Sequence, residues 1–438
     1  MTTAFRLASH GYRVTLVERR PYLGGRAYSF TDPDSGLQID NGQHVLLGCN
    51  SAYIGLLQDL GTLERTTLQR QLRIEVRSPE GKTGVLSGQS LPAPLHLLRS
   101  FLRYPHLTWP EKLRAIPALL QIHSDHDRDR LELRRQSFGD WLRHNSQSKH
   151  AIANFWDLIV VPSLNDYTDN ISANMGFMVF QEALLTNRSG ANVGYARAGL
   201  SDVMGTPMAV KLASLGVNLQ MGRTIEKINV GDDDCIASVT LAGGESLVSD
   251  QYVGALPPEV LCKLLPESTQ AREDLNAAAN HTWAPIVNLH IWYDRPVADF
   301  EFAAFVDSRV QWVFNRTRIE GLPGPEQYLI VSLSAAWDYW PMSKDKLRSM
   351  FTSELANVLP AARDATLKRF LVVKEQRATF RSLPGTTKDR PSTKTIIPNL
   401  LLAGDWTDTG WPSTMESAVR SGNAAAKAIE QARIEIRA

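Results

Sequence analysis

Val14-Thr15-Leu16-Val17-Glu18, running on into Arg19-Arg20-Pro21-Tyr22-Leu23-Gly24-Gly25-Arg26, is the stretch on which the fold turns. Four apolar or β-favouring residues that end in an acid read as a short, buried, parallel strand. A carboxylate at the carboxyl end of such a strand stands where an adenosine ribose docks, able to accept hydrogen bonds from its hydroxyls. Gly24-Gly25 lets the backbone approach a ligand that any Cβ would strike, and Arg26 offers a fork of donors suited to a diphosphate. The plainer reading makes Glu18 a strand-end acid and Gly24-Gly25 a turn. The far end of the chain weighs against it.

Upstream, Thr2 to His10 is helix-like, with Ala4, Leu7 and Ala8 on one face and Gly11 placed to stop it. Helix, glycine, strand, acid is the second half of a βαβ unit. Its first strand and glycine-rich turn are expected before Met1, since the last glycine of a G-x-G-x-x-G turn would fall about one residue upstream. The expectation is weak nucleotide binding by the chain as it stands, restored by roughly 15 further upstream residues.

Downstream, Ile39-Asp40-Asn41-Gly42-Gln43-His44-Val45-Leu46-Leu47 reads as a loop entering a strand. Gly42 and His44 are placed to meet a ring system, with a purely structural His44 an equal alternative. Ser51 to Leu60 is a helix and Leu72 to Val85 a hairpin around Pro79-Glu80-Gly81. From Leu91 to Ile122 apolar residues interleave with Arg99, Arg103, Lys112 and Arg114, and Glu111 is the lone acid. Such a stretch suits either an anionic membrane surface or an amphipathic helix pair packed on its own core. Phe138 to Ser201 reads as mainly helical, with Trp141, Phe155 and Trp156 in the core. Strand patterns return at 217–220, 223–230, 236–241, 246–254, 285–293 and 327–333. Leu400-Leu401-Leu402-Ala403-Gly404-Asp405 is another short apolar strand ending in an acid. A helix is expected from near Pro412 through Ala428.

The whole chain sets bounds on this reading. Its 438 residues suffice for two or three domains, and 47 basic against 46 acidic residues argue against a nucleic-acid partner. Cys49, Cys235 and Cys262 have no CxxC spacing, which excludes a zinc site or a disulfide framework and suits a reducing compartment. No apolar run approaches the roughly 18–20 residues of a membrane span. The expected location is cytoplasmic, peripheral on the inner face of the cell membrane.

Glu18 and Asp405 are strand-end acids at opposite ends of the chain, each beside a glycine-bearing turn and a helix. One nucleotide cofactor folded between the termini accounts for both, with the last helix aiming its N-terminal amides at a flavin. The stretch from Glu18 to Arg26 resembles the E-A-R-x-x-x-G-G-R signature of the flavin amine oxidase and phytoene desaturase superfamily. Leu402-Ala403-Gly404-Asp405-Trp406 through Met415-Glu416-Ser417-Ala418-Val419-Arg420-Ser421-Gly422 resembles its C-terminal flavin motif. Asp40-Asn41-Gly42-Gln43-His44 and Gly404 through Pro412 look most like the squalene-associated FAD-dependent desaturase branch, whose members are hydroxysqualene dehydroxylases of hopanoid synthesis.

The resemblance implies a Rossmann-like α/β fold with an inserted α+β substrate domain. The cofactor part would comprise 1–85, 198–260 and 385–438, and the substrate part 86–197 and 261–384. It implies FAD, with Glu18 on the adenosine ribose and Arg20, Gly24, Gly25 and Arg26 near the ribose and diphosphate. Ile225 would present its backbone to adenine. Gly42, Gln43 and His44 would line the isoalloxazine, Gly404 and Asp405 the ribityl-diphosphate, and Thr414 and Met415 the pyrimidine edge. No cysteine follows Cys262, so a C-terminal cysteinyl flavin link is not available. The implied reaction reduces hydroxysqualene to squalene in a dry apolar tunnel, with His44 or Asp40 as candidate acid and an unnamed electron donor. The rivals are a carotenoid-type desaturase, moving hydride the other way, and an inactive remnant without FAD.

Overall fold

The strand Thr15–Glu18 pairs in parallel with Asn218–Met221, setting Leu16 beside Leu219 and Glu18 beside Met221. A computed structural model describes residues 1–33, 36–267, 269–386 and 390–437. In it a second parallel pair joins Tyr252–Gly254 to Leu400–Leu402. Strands this short gain their stability from what covers them. Here the cover is two helices, Thr2–Ser9 and Met415–Arg437. They lie against each other, with the Thr3 hydroxyl donating to the Gly422 carbonyl at 3.0 Å. Leu7, Leu401, Ala426 and Ile429 share one apolar cluster. The two ends of the chain therefore build one unit.

A seven-stranded sheet forms the other half. Its order is Leu367–Phe380, Trp283–Tyr293, Gln327–Leu333, Trp312–Asn315, Phe302–Phe305, Arg73–Arg77 and Thr83–Ser87. Period-two alternation gives it two apolar faces. Val287, Leu289, Ile291, Leu329 and Val331 pack behind it on Phe351 and Leu355 of the helix Lys344–Val358. Trp292, Tyr328, Ile330, Phe302 and Phe314 face a helical block containing Phe138, Trp141, Phe155, Trp156, Phe177 and Phe180. Burying each such ring stabilises by about 1.5–3 kcal/mol.

In two places strand pairing crosses the division that the resemblance implies. The hairpin Arg73–Arg77/Thr83–Ser87 is hydrogen-bonded into the seven-stranded sheet beside Phe302–Phe305, not kept with residues 1–72. Val193–Ala196, inside the stretch expected as helical, is the central strand of a three-stranded sheet with Val45–Leu47 and Thr66–Leu68. All four of its residues are buried on both faces, so no alternation betrays it.

Against the Thr83–Ser87 edge of the sheet and the helical block run the helices Leu98–Arg103 and Trp109–Ser124. The second opens on a capping box: Glu111 accepts from the Thr108 amide and hydroxyl, both at 2.8 Å, and from Ser148 at 2.6 Å. Phe101 is only 5% exposed and meets Phe155 edge-on, so it belongs to the core. Leu95, Leu98, Trp109, Leu113 and Leu120 instead point outward. Among the described residues no helix is long and apolar enough to cross a membrane.

Candidate active site

Glu18 ends its strand with the carboxylate turned back onto the chain, accepting the Arg20 amide at 2.8 Å. The Glu18 carbonyl accepts the Arg223 amide at 3.1 Å, which brings the strand Ile225–Val230 alongside. Arg20 donates to the Gly25 carbonyl at 3.0 Å and lies over the stacked Tyr22 and Tyr28 rings. Gly24 adopts φ +130°, and a Cβ there would sit 2.4 Å from the Ala27 carbonyl oxygen, so only glycine closes this turn. Arg26 crosses the molecule to donate to the Ala378 carbonyl at 2.7 Å and to pair with Asp405. Its guanidinium stacks on Trp283, whose ring also carries Arg377.

The loop after Leu400–Leu402 is organised by a residue with no local signal, Arg390. It is buried and donates to the carbonyls of Trp411 at 2.6 Å, Asp405 at 2.8 Å and Thr407. Burial pushes its guanidinium down to about 10. Ser413 donates to the Asp405 carboxylate and Ser417 to the Asp405 carbonyl. The last helix begins at Met415 and not near Pro412: residues 411–414 form the turn, and the Thr414 hydroxyl accepts the Ser417 amide at 3.2 Å. Glu416, 1% exposed, caps a second helix by accepting the amides of Ala52 and Tyr53 at 3.1 and 2.8 Å.

The Gly42–His44 loop meets this assembly. Asn41 accepts the Tyr28 amide and donates to the Arg26 carbonyl at 2.8 Å. A Cβ on Gly42 would stand 2.9 Å from Nδ2 of Asn288, on the strand Trp283–Tyr293. His44 is enclosed by protein yet keeps part of its surface open, the signature of a cleft lining. Burial, with Arg26 nearby, holds its imidazole down at about 4, so it is neutral at pH 7. Asp40 precedes it, entering the same loop. Its Oδ1 accepts Ser29 at 2.7 Å and the Leu200 amide at 2.9 Å, and Oδ2 lies 3.6 Å from Arg316. Burial raises its carboxyl, opposed by Arg316, but both oxygens are engaged in holding the loop. Arg316, 3% exposed, also pairs with Glu320 and donates to the Ala196 carbonyl at 3.2 Å.

Contacts thus join Glu18 to Arg20 and Arg20 to Gly25, Arg26 to Asp405, and Gly42 and Gln43 to Asn288, with Arg26 near His44. Gly24 shapes the turn before Arg26, Ile225 opens the strand after Arg223, and Gly404, Thr414 and Met415 flank Asp405 and the start of the last helix. Sequence reasoning missed Trp283, Asn288, His290, Arg316 and Arg390. For Asn288 and His290 a signal existed: two polar residues spaced by two in an otherwise apolar strand.

The flavin containing amine oxidoreductase family matches residues 1–430. The chain belongs to this family. Its cofactor is FAD, and the residues present fit it: a strand-end acid, a glycine turn no side chain would allow, and an Arg26–Asp405 pair that Ser413 ties to the turn before the last helix. The Trp283 indole N–H is buried with no partner, on the ring over which Arg26 lies. This flavin oxidoreductase is 28% identical over 441 residues to a hydroxysqualene dehydroxylase of Rhodopseudomonas palustris, covering 98% of this chain and 95% of that one. It is 25% identical over 450 residues to the 15-cis-phytoene desaturase of Solanum lycopersicum, covering 98% and 76%. A putrescine oxidase bound to putrescine shares the fold, with TM-score 0.74 and 16% identity over 98% and 96% of the two chains. Cyclohexylamine oxidase from Brevibacterium oxydans does so with TM-score 0.71 and 18% identity, covering 98% and 96%.

Proposed function

We propose that this flavin oxidoreductase reduces a long isoprenoid allylic alcohol, hydroxysqualene, to squalene. The observation that carries the reading is the wall beside the Gly42–His44 loop. Trp292, Tyr328, Phe302, Phe314 and Ile330 make an apolar and aromatic sheet face packed on the helical block, bordered by Arg369 over Trp292 and by His290 on the Tyr328 hydroxyl. That suits a hydrocarbon with one hydroxyl. The near full-length likeness to a hydroxysqualene dehydroxylase supports it.

In this reading Glu18 accepts the adenosine ribose hydroxyls, with Arg20, Gly24, Gly25 and Ile225 around the adenosine and diphosphate. Arg26 and Asp405, already paired, hold the diphosphate and ribityl, with Gly404 beside them. Thr414 and Met415 place the helix N-terminus at the flavin pyrimidine. Bound and reduced, FAD would supply the hydride for the carbon that loses its oxygen and, overall, the proton that leaves with that oxygen. The carbon–oxygen bond breaks, hydride takes the place of the hydroxyl, and the oxygen leaves with one added proton as water. The aromatic wall excludes bulk water and faces developing positive charge with π-electron density. His44 and the tethered Asp40 hold the loop in place.

A substrate of this kind resides in a bilayer, and the chain offers a place to meet one. Leu91, Leu95, Leu98 and Leu102 line an apolar groove of about 300 Å³ with Arg99 and Arg103 beside it. Trp109 and Leu113, 61% and 63% exposed, extend it. We place the protein on an anionic membrane surface through this face, on the cytoplasmic side.

The test supplies FAD-loaded enzyme with hydroxysqualene under anaerobic reduction, and with phytoene under oxidised flavin and a quinone acceptor. Squalene formed only under reduction is the expected result. Desaturated phytoene without squalene would establish the desaturase reading instead.

A further inference from the structure

The strand Trp283–Tyr293 presents Asn288, His290 and Trp292 on one face, opposite the side that packs Val287, Leu289 and Ile291 on the rear helix. Asn288 stands against Gly42 of the flavin loop, and Trp292 begins the aromatic wall. His290 lies between them, fully buried. Its Nδ1 is 2.6 Å from the Tyr328 hydroxyl, and Tyr328 is itself stacked on Trp292 at 4.3 Å and 7°. The ring is thus fixed in position and orientation. Its other nitrogen, Nε2, is buried with no hydrogen-bond partner.

An unpaired polar atom in a buried apolar wall is costly, and a native protein retains one where something else completes it. We propose that His290 Nε2 receives the hydroxyl of the alcohol substrate, with Tyr328 as the positioning residue. The inference rests on the alcohol reading of the function. Three features carry it. The atom is the polar point where the aromatic wall meets the flavin loop, two residues along the strand from Asn288. An alcohol both donates and accepts, so it satisfies Nε2 in either tautomer, whereas a hydrocarbon satisfies neither. Burial, with Arg316 and Arg369 nearby, keeps the ring neutral, so it meets the alcohol as an imidazole with one donor or acceptor at Nε2. The same atom therefore separates the two substrate classes: a polyene at this place leaves Nε2 unsatisfied, and an alcohol does not.

The test is equilibrium binding to oxidised, FAD-loaded full chain, in which no turnover occurs. Hydroxysqualene and squalene are titrated separately in detergent micelles and followed by tryptophan fluorescence. Wild type should prefer the alcohol by about tenfold or more. His290→Phe should bring that ratio to about one while leaving squalene affinity and flavin content in place. His290→Gln, which returns a donor and acceptor, should recover most of the preference. Tyr328→Phe keeps the stack on Trp292 but frees Nδ1, and should reduce the ratio. An undiminished preference in His290→Phe with normal flavin content overturns the assignment of His290 alone. If that variant loses its flavin, an unchanged ratio in Tyr328→Phe overturns it instead. A wild type without preference overturns both this assignment and the alcohol reading beneath it.

Discussion

Removing Arg390 tests the architecture of the cofactor loop most directly. Its guanidinium serves the carbonyls of Asp405, Thr407 and Trp411 from one planar fork. Arg390→Met leaves the Trp411 and Thr407 carbonyls without this donor in a buried site, while the Asp405 carbonyl keeps Ser417. Each unsatisfied buried carbonyl costs about 1–3 kcal/mol, and the two share one loop, so partial collapse makes the sum less than additive. A loss of about 2–4 kcal/mol is expected, a large part of the roughly 5–15 kcal/mol that holds a folded protein. Arg390→Lys keeps the charge but concentrates its donors on one atom, which cannot span three carbonyls. It should lose about 1–3 kcal/mol.

Because Asp405 sits in that loop, FAD affinity should fall with stability. Re-ordering the loop on binding at a cost of about 1.4–2.8 kcal/mol weakens the dissociation constant by about 10- to 100-fold. The assay is titration of FAD into apoprotein by flavin fluorescence, beside thermal unfolding of the same apoprotein. The expected order is wild type, then Arg390→Lys, then Arg390→Met in both measurements. Melting within about 1 °C of wild type and affinity within about twofold for Arg390→Met would refute the reasoning.

Three further outcomes are expected. Glu18→Ala and Asp405→Ala should each weaken FAD binding by about 1.5–3 kcal/mol, the worth of a charge-assisted hydrogen bond, and unchanged affinity in both would displace the cofactor from this cleft. Burial works against ionisation of Glu111, but hydrogen bonds from Ser148, Thr108 and His150 outweigh it and hold the carboxyl down at about 2. Its folded value lies below its unfolded one, so its contribution, on the order of 2 kcal/mol, is complete above about pH 5 and lost as pH falls toward 2. Glu111→Gln should flatten that part of the stability–pH curve, and an unchanged slope would count against the capping role. Replacing Leu95, Leu98, Trp109 and Leu113 by serine should abolish sedimentation with anionic vesicles while leaving flavin content intact. Phe101 is excluded from that set because it is core. Undiminished sedimentation would return these helices to ordinary packing.

The sequence alone determined the parts of this protein whose causes are local. An acid closing a short apolar strand, a glycine pair that no Cβ can replace, and a second strand-end acid before a helix are readable because each depends on neighbours a few residues away. Glu18 accordingly ends its strand, Gly24 closes its turn, and Arg26 pairs with Asp405 across the chain. Only the tertiary structure decided the rest. Leu367–Phe380 carries Arg369, Lys374 and Arg377 and does not read as a strand. Its charges are matched from afar, by Asp32, the carbonyls of Trp340 and Met342, and Glu259. Val193–Ala196 hides because it is buried on both faces. Asn288 meets Gly42 from far along the chain, a contact set by the sheet and not by any spacing rule. Arg316 and Arg390 look like surface arginines until the fold wraps carboxylates and carbonyls around them. A buried charge is legible only together with the groups that satisfy it, and those groups are brought by the packing of distant segments.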